Sequence, residues 1–203
     1  KRILRRDLAP LVVGAPLFAQ ARPPRFLRSH EVKRLFETAG KDLPRPKALR
    51  SVAMLYLAYT LGLRPIEISR IRLDDIAFAA EEIRLPDRKS NNPVRLPLSE
   101  DTLRAIAAYL IGARPSSAHR RLFLTLKAPY GPITAAVVSC DIKRCMRKAN
   151  LSASAYCLRH TYAQSLLEKG ASLFEIKEML GHDSIETARR YLHIHIRLMR
   201  KVL

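Results

Sequence analysis

Five polar side chains, spread over four separate segments of the chain, are of the types that can bind and cleave a phosphodiester. They are two arginines, a lysine, a histidine and a tyrosine, namely Arg64, Lys89, Arg159, His182 and Tyr191. Arginine forks match the two non-bridging oxygens of a phosphate and keep their protons, so they can neutralise the charge of a pentavalent transition state. A tyrosine hydroxyl can attack phosphorus and store the bond as a phosphotyrosine, while a lysine can protonate the departing 5′ oxygen.

Taken one at a time, most of these residues have an ordinary structural explanation. Arg64, in LGLRPIEI, is of the kind that usually forms a weak surface pair, here with Glu67. Lys89 alone reads as a solvated lysine. Arg159 is different, because it lies in the core-forming segment AYCLRHTYAQSLL. Burying its charge costs several kcal/mol unless an anion or a carboxylate compensates it.

The charge of the chain favours a polyanionic partner. The 203 residues include 37 Lys and Arg against 18 Asp and Glu, which gives a formal net charge of +19. Such a field attracts nucleic acid and weakens as salt is added. On charge alone, a merely basic protein of the ribosomal type stays open as an alternative. The hydrophobic content of 48% suffices for a core, so one compact domain is the expectation.

The remaining composition excludes several classes of protein. Cys140, Cys145 and Cys157 contain no CxxC pair, so they predict neither a zinc knuckle nor a disulfide framework and indicate a reducing, cytoplasmic setting. No apolar run approaches the roughly 20 residues of a membrane span, so no membrane partner is expected. No Asp/Glu cluster has metal-ligand spacing, so no cofactor is predicted and the arginines would take the place of a divalent metal.

The elements that position these side chains are predicted to be mainly helical. Ser29 is the expected N-cap of the first helix and Gly40 its stop, Pro65 suits the first position of another, and Ser172 with Glu175 forms a capping box. The predicted helices cover about 29–40, 47–61, 65 onward, 99–112, 134–149, 157–169, 172–181 and a last helix from 184 that carries Tyr191.

One segment, EEIRLPDRKSNNPVRLPLS, predicts β-structure. Its two alternating runs, Ile83 to Pro86 and Val94 to Leu98, should form a small antiparallel hairpin with Lys89 at its basic tip. Beside the turn after Arg64, Ile66 and Ile68 are expected to pack in the core. The fold class that follows is mainly α with a small antiparallel β-hairpin, an α+β arrangement.

The two ends of the chain read differently from its middle. Residues 1–24 are basic and proline-rich, which predicts an extended linker, and the start at Lys1 without methionine suggests that an N-terminal partner domain is missing. The tail YLHIHIRLMRKVL fits both strand and helix spacing, and that choice stays open. A tail with this many apolar side chains is expected to bury them against a surface, either on its own domain or on a neighbouring subunit.

In this order, the motifs resemble the catalytic domain of the tyrosine recombinases, the phage integrase family, over residues 25–203. GLRPIEISRIRLDDI is similar to the first arginine box of the family and places its catalytic arginine on Arg64. Lys89 falls where the hairpin lysine of the family lies. LRHTYAQSLLEKGASLFEIKEMLGHDSIETARRYLH resembles the second box, with its arginine on Arg159, its histidine on His182 and its nucleophile on Tyr191.

The resemblance implies the tyrosine recombinase catalytic-domain fold and a site-specific strand-transfer reaction on double-stranded DNA. It implies a covalent 3′-phosphotyrosine intermediate and no metal or ATP. It also implies a homo-tetramer on two DNA sites, with the C-terminal tail docked into the adjacent protomer. Residues 1–24 then resemble the link to a helical core-binding domain.

One position departs from the family pattern. The family usually has a histidine three residues before the second arginine, where this chain has Tyr156. That histidine is thought to assist proton transfer at the nucleophile, so its loss bears on the rate more than on the reaction class. Tyr156 is expected either to bond the phosphate through its hydroxyl or to pack in the core. The alternatives to a recombinase are a weak or silent DNA-binding domain of the same fold and a topoisomerase IB-like DNA relaxer.

Overall fold

Helices dominate the part of the chain that the structure describes, and a small antiparallel sheet accompanies them, as predicted. The computed structural model describes residues 25–41, 44–85 and 94–180. The predicted linker, the hairpin tip with Lys89, and the segment with His182 and Tyr191 lie outside these residues. The helices are α1 Ser29–Thr38, α2 Arg45–Thr60, α3 Pro65–Arg70, α4 Glu100–Gly112, α5 Ala135–Lys148, α6 Ala155–Glu168 and α7 Leu173–Leu180.

The helix ends follow the predicted caps in most cases. The Ser99 side chain accepts a hydrogen bond from the N–H of Thr102 at the start of α4. The capping box of α7 is also confirmed, because the Glu175 carboxylate accepts from the Ser172 N–H at 2.7 Å and the Ser172 hydroxyl accepts from the Glu175 N–H at 3.2 Å.

One predicted N-cap was wrong. Ser29 begins α1 instead of capping it, because the N-cap is Arg28, whose N–H donates to the Glu31 carboxylate at 2.9 Å. Helix α6 begins at Ala155, two residues before the predicted start at Cys157. Its first turn therefore includes Tyr156.

The sheet has three strands in the order β1, β2, β3, with β1 at Ile76–Ala77, β2 at Glu82–Leu85 and β3 at Val94–Pro97. The predicted hairpin is confirmed by the antiparallel pairing of β2 with β3, in which Ile83 lies opposite Leu96. Both side chains are buried. Strand β1 was not predicted, because two residues are too short to show alternation.

Helix α2 lies at the centre of the core and packs against α4, α5 and α6. Its residues Met54, Leu55 and Leu57 are fully buried. On α3, Ile68 is buried as predicted, but Ile66 is 42% exposed, so the prediction that it packs in the core was wrong. The short helix α3 buries only one of its faces in the core, and the Ile66 side chain lies on the opposite, exposed face. None of the helices within the described ranges combines the length and the hydropathy that a membrane span requires.

A buried ionic network ties α2 to α5. Arg50 donates to the Asp141 carboxylate at 2.7 Å and to the Leu124 carbonyl at 2.9 Å. The second oxygen of Asp141 accepts from Arg144 at 2.7 Å. The side chains of Arg50 and Asp141 are 7% and 3% exposed, so the buried charge of Arg50 depends on Asp141 for compensation.

Replacing Asp141 by Asn should lower the free energy of unfolding by about 3 kcal/mol, because the Arg50 charge would stay buried without a carboxylate. Urea unfolding of the variant measures this loss. Asp74→Asn is the matched control, since the Asp74–Arg120 pair is more than half exposed and its loss should matter much less. Equal effects of the two substitutions would contradict the proposed role of the buried network.

Candidate active site

The Arg159 guanidinium lies in the interior, and its partners in the described residues include two backbone carbonyls and a carboxylate. The residue is only 3% exposed. Its Nη1 donates to the Gly62 carbonyl at 2.6 Å, and its Nη2 donates to the Leu180 carbonyl at 2.5 Å. Nη1 also lies 3.9 Å from the Glu67 carboxylate. Arg159 is therefore buried, and a carboxylate, one of the two expected kinds of compensating group, lies close to it.

The same carboxylate holds Arg64, the first predicted arginine. Arg64 is the N-cap of α3, and its N–H donates to Oε2 of Glu67 at 2.6 Å. Its Nη1 lies 3.4 Å from Oε1 of Glu67. The pair that was expected at the surface therefore forms, but with the Glu67 side chain only 8% exposed and Arg64 23% exposed. Glu67 stands between Arg64 and Arg159, so one negative charge is shared by two positive ones.

A net positive charge is left on this cluster of Arg64, Glu67 and Arg159. One arginine is buried and the other is partly open to solvent, so an anion that approaches from the Arg64 side would meet guanidinium donors already held in place. Prealigned donors of this kind stabilise charge that develops in a transition state without further reorganisation. The cluster therefore has the charge and the donors to bind a phosphate.

The turn between α2 and α3 brings the two arginines together. Gly62 has φ of +61°, a backbone conformation that favours glycine. A Cβ at this position would lie 2.6 Å from a ring carbon of Tyr162 and 2.9 Å from a methyl carbon of Leu180. The turn thus packs directly on α6 and α7, and its carbonyl can reach the Arg159 side chain.

Helix α7 ends at the same place. Leu180, its last residue, is fully buried, and its carbonyl accepts from Arg159. A cation at the C-terminal end of a helix also interacts favourably with the helix dipole. Gly181 and His182 follow Leu180 directly in sequence. The predicted roles of His182, Tyr191 and Lys89 fall outside the described residues and stay predictions.

Tyr156 lies on the first turn of α6, three residues before Arg159. It is 58% exposed, so the alternative that it packs in the core is wrong. It lines a surface groove together with Arg25 and Arg147, whereas Arg64 and Arg159 do not belong to the lining of that groove. The structure therefore brings Arg64 and Arg159 together and places Tyr156 on a neighbouring surface.

The segment just before α1 fastens the N-terminal half of α6. The buried N–H of Leu27 donates to the Thr161 hydroxyl at 2.8 Å, and Arg25 donates to the Ser152 carbonyl at 2.6 Å. Burial raises the pKa of the nearby Cys157 thiol to about 11, so this thiol stays protonated at neutral pH and is no nucleophile. The residues before α1 thus hold helix α6 in place, while the end of α7 holds the Arg159 side chain itself.

Reasoning from the sequence missed two residues of the site. Glu67 was considered only as a surface partner of Arg64, although its position at N3 of a helix that starts with proline is a capping signal. Gly62 was considered only as a helix stop. Its close approach to Tyr162 and Leu180 depends on contacts between segments about 100 residues apart, which no local pattern reveals.

Comparison with known proteins gives a consistent result. The model of the phage integrase family matches residues 25–196. Tyrosine recombinase XerC of Staphylococcus haemolyticus is 32% identical over 183 residues, which cover 88% of this chain and 60% of that protein. The chain spans about half to three fifths of the length of the first curated relatives it matches.

Solved structures share the fold. The crystal structure of XerA recombinase has a TM-score of 0.75 at 24% identity and covers 90% of this chain and 65% of that one. XerH recombinase, bound to its palindromic difH substrate in a post-cleavage complex, has a TM-score of 0.76 at 21% identity, with 89% and 53% covered. These structures confirm the predicted tyrosine recombinase catalytic-domain fold.

Gly62→Ala should destabilise the protein by about 2–4 kcal/mol, because the new Cβ is strained at positive φ and overlaps Tyr162. Gly170→Ala is the matched control, since Gly170 has φ of +88° but nothing within 4 Å of its added Cβ. Gly170→Ala should lower the free energy of unfolding by only about 1 kcal/mol. Urea unfolding compares the two, and equal losses would show that the close approach at Gly62 contributes nothing.

Glu67→Gln should lower the free energy of unfolding by about 3 kcal/mol, because two guanidinium groups would lose their shared carboxylate. Sulfate should restore part of this loss by binding between the arginines. The measurement is urea unfolding at increasing sulfate, with Glu37→Gln, in an exposed pair with Lys33, as control for the general effect of the salt. A variant whose response to sulfate equals that of the control would argue against an anion site.

Proposed function

The chain belongs to the phage integrase family, and on that premise we propose that it cleaves and rejoins strands of double-stranded DNA at specific sites through a covalent 3′-phosphotyrosine. The proposal covers the reaction, its substrate and its assembly, because the chain spans only part of its relatives. One observation carries it: Arg64 and Arg159, from separate helical segments, converge on Glu67. The formal net charge of +19 supports DNA as the substrate.

In the proposed reaction, Arg64, Arg159 and His182 hold the scissile phosphate. The phenolic oxygen of Tyr191 forms a bond to phosphorus, its proton passes to a base or to water, and the bond from phosphorus to the 5′ oxygen breaks. Lys89 protonates that oxygen, which leaves as a 5′-hydroxyl. A 5′-hydroxyl from another strand then attacks the phosphotyrosine and reverses the step. The phosphotyrosine conserves the energy of the broken bond, so the proposal needs neither ATP nor a metal.

The buried contacts of Arg159 support its assigned role. A guanidinium that is fixed by the Gly62 and Leu180 carbonyls has little freedom left to lose when the substrate binds. Arg64 is more exposed than Arg159, with side-chain exposures of 23% and 3%, and it is paired with Glu67. In this proposal Arg159 forms the rigid wall of the phosphate site, and Arg64 meets the phosphate from the more open side.

The proposal extends to the organisation of the whole protein. Residues 1–24 act as a basic linker from a core-binding domain, and residues 25–203 form the catalytic domain. The C-terminal tail docks into an adjacent protomer, so that four copies assemble on two DNA sites. Support for DNA as a partner comes from XerH, whose structure is described as bound to its difH substrate.

A nicked suicide substrate tests the proposed reaction, because the cut end diffuses away and traps the covalent intermediate. The full-length protein should give an adduct that resists SDS, and Tyr191→Phe should abolish it. Arg159→Lys should slow its formation by about 10²–10³-fold, since a fixed donor to the phosphate is lost. Tyr130→Phe, which alters an exposed tyrosine outside the arginine cluster, is the control and should leave the adduct unchanged.

The outcomes separate the proposal from its alternatives. DNA binding without any adduct, in the full-length protein, would identify a silent binding domain. An adduct accompanied by relaxation of supercoils at no defined site would identify a DNA relaxer. An adduct that persists in Tyr191→Phe would assign the nucleophile to another residue.

A further inference from the structure

A basic groove lies beside the first turn of α6, next to the arginine cluster. Its volume is about 850 Å³, and its lining includes Arg25, Lys143, Arg147, Tyr156 and His160. No aspartate or glutamate is among the described residues that line it. A groove of this kind has a positive potential and favours an anionic occupant.

Two of these cations have no compensating carboxylate in the part of the chain that the structure describes. Lys143 and Arg147 are exposed and lie four residues apart on α5, so they occupy the same face of that helix. Neither forms an ion pair with any residue in the described ranges, whereas Arg144, between them in sequence, is paired with Asp141. Arg25 is held differently, by Glu31 at 3.6 Å and by the Ser152 carbonyl.

The start of α6 adds to the positive potential of the groove. Ser154, the N-cap of α6, lines the groove and makes no side-chain cap, unlike Ser99 and Thr134 at the starts of α4 and α5. The partial positive charge at the N-terminus of α6 is therefore not screened by a capping hydroxyl. The partial positive charge of this helix end adds to the charge of the cationic side chains that line the groove.

The groove is adjacent to the site of strand cleavage. Tyr156, in its lining, precedes Arg159 by three residues on α6, which corresponds to less than one helical turn, or roughly 5 Å along the axis. A DNA strand carries a phosphate at every nucleotide. A strand whose scissile phosphate lies at Arg64 and Arg159 therefore has a neighbouring phosphate within reach of the groove.

We propose that this groove binds the backbone phosphate adjacent to the scissile one, with Arg147 and Lys143 supplying charge and the Tyr156 hydroxyl donating a hydrogen bond. Tyr156 is then a positioning residue for the DNA strand and carries no proton in the reaction. This inference rests on the proposed function and adds the path of the strand beside the site. It also gives a role to the residue that departs from the family pattern.

The test is DNA binding by the full-length protein at several salt concentrations, in a Tyr191→Phe background that prevents cleavage. Arg147→Gln should weaken binding and reduce the slope of log K against log salt by about one, because one phosphate contact is lost. Arg104→Gln removes the same charge from an exposed position on α4 and should leave the slope unchanged. Thermal unfolding checks that both variants stay folded.

Tyr156→Phe separates positioning from proton transfer. As a positioning residue, its loss should weaken DNA binding about tenfold, leave the salt slope unchanged, and leave the rate of adduct formation at saturating DNA unchanged in the background that retains Tyr191. A slower rate at saturation with unchanged affinity would assign Tyr156 to proton transfer and overturn the proposal.

Two further outcomes separate a failure of the groove proposal from a failure of the proposed function. If the protein binds and cleaves DNA but Arg147→Gln behaves as Arg104→Gln does, the groove proposal fails while the proposed function stands. If the unaltered protein neither binds DNA nor forms an adduct, the proposed function fails, and the groove proposal fails with it.

Discussion

The Glu67 carboxylate lies between the guanidinium groups of Arg64 and Arg159, and the arrangement of the site depends on this shared charge. Two like charges repel strongly when water is excluded, so they stay close only with a counter-charge between them. A single carboxylate relieves the repulsion without cancelling the positive charge. The cluster is thereby stable enough to fold and still attractive to a phosphate.

The surrounding fold serves this constraint by close packing. The turn at Gly62 packs so closely on α6 and α7 that the Gly62 carbonyl accepts a hydrogen bond from Arg159. The Leu180 carbonyl, at the end of α7, also accepts a hydrogen bond from Arg159. Because backbone carbonyls belong to rigid elements, the guanidinium is held in one orientation, which is what a preorganised anion site requires. Away from the site, the Arg50–Asp141 pair uses the same principle to join α2 and α5.

The positive charge is distributed in two ways that have different consequences. In the core, arginines are compensated by carboxylates and carbonyls, and they fix the geometry. Along the groove beside α6, Lys143 and Arg147 have no ion-pair partner in the described residues, and they remain available to an external anion. The first group holds its guanidinium groups in fixed positions. The second group carries the positive charge on which the groove proposal rests.

The sequence by itself determined the helical character, the hairpin and most helix caps, because these depend on local patterns of three to four residues. It also showed that Arg159 would need a partner, since a charge in an apolar segment must be compensated. The sequence did not show that Glu67 is this partner, that Gly62 packs on Tyr162, or that Tyr156 lies in a separate groove. Those facts depend on contacts between distant segments and on the direction in which each helix face points. Only the packing of the tertiary structure decides them.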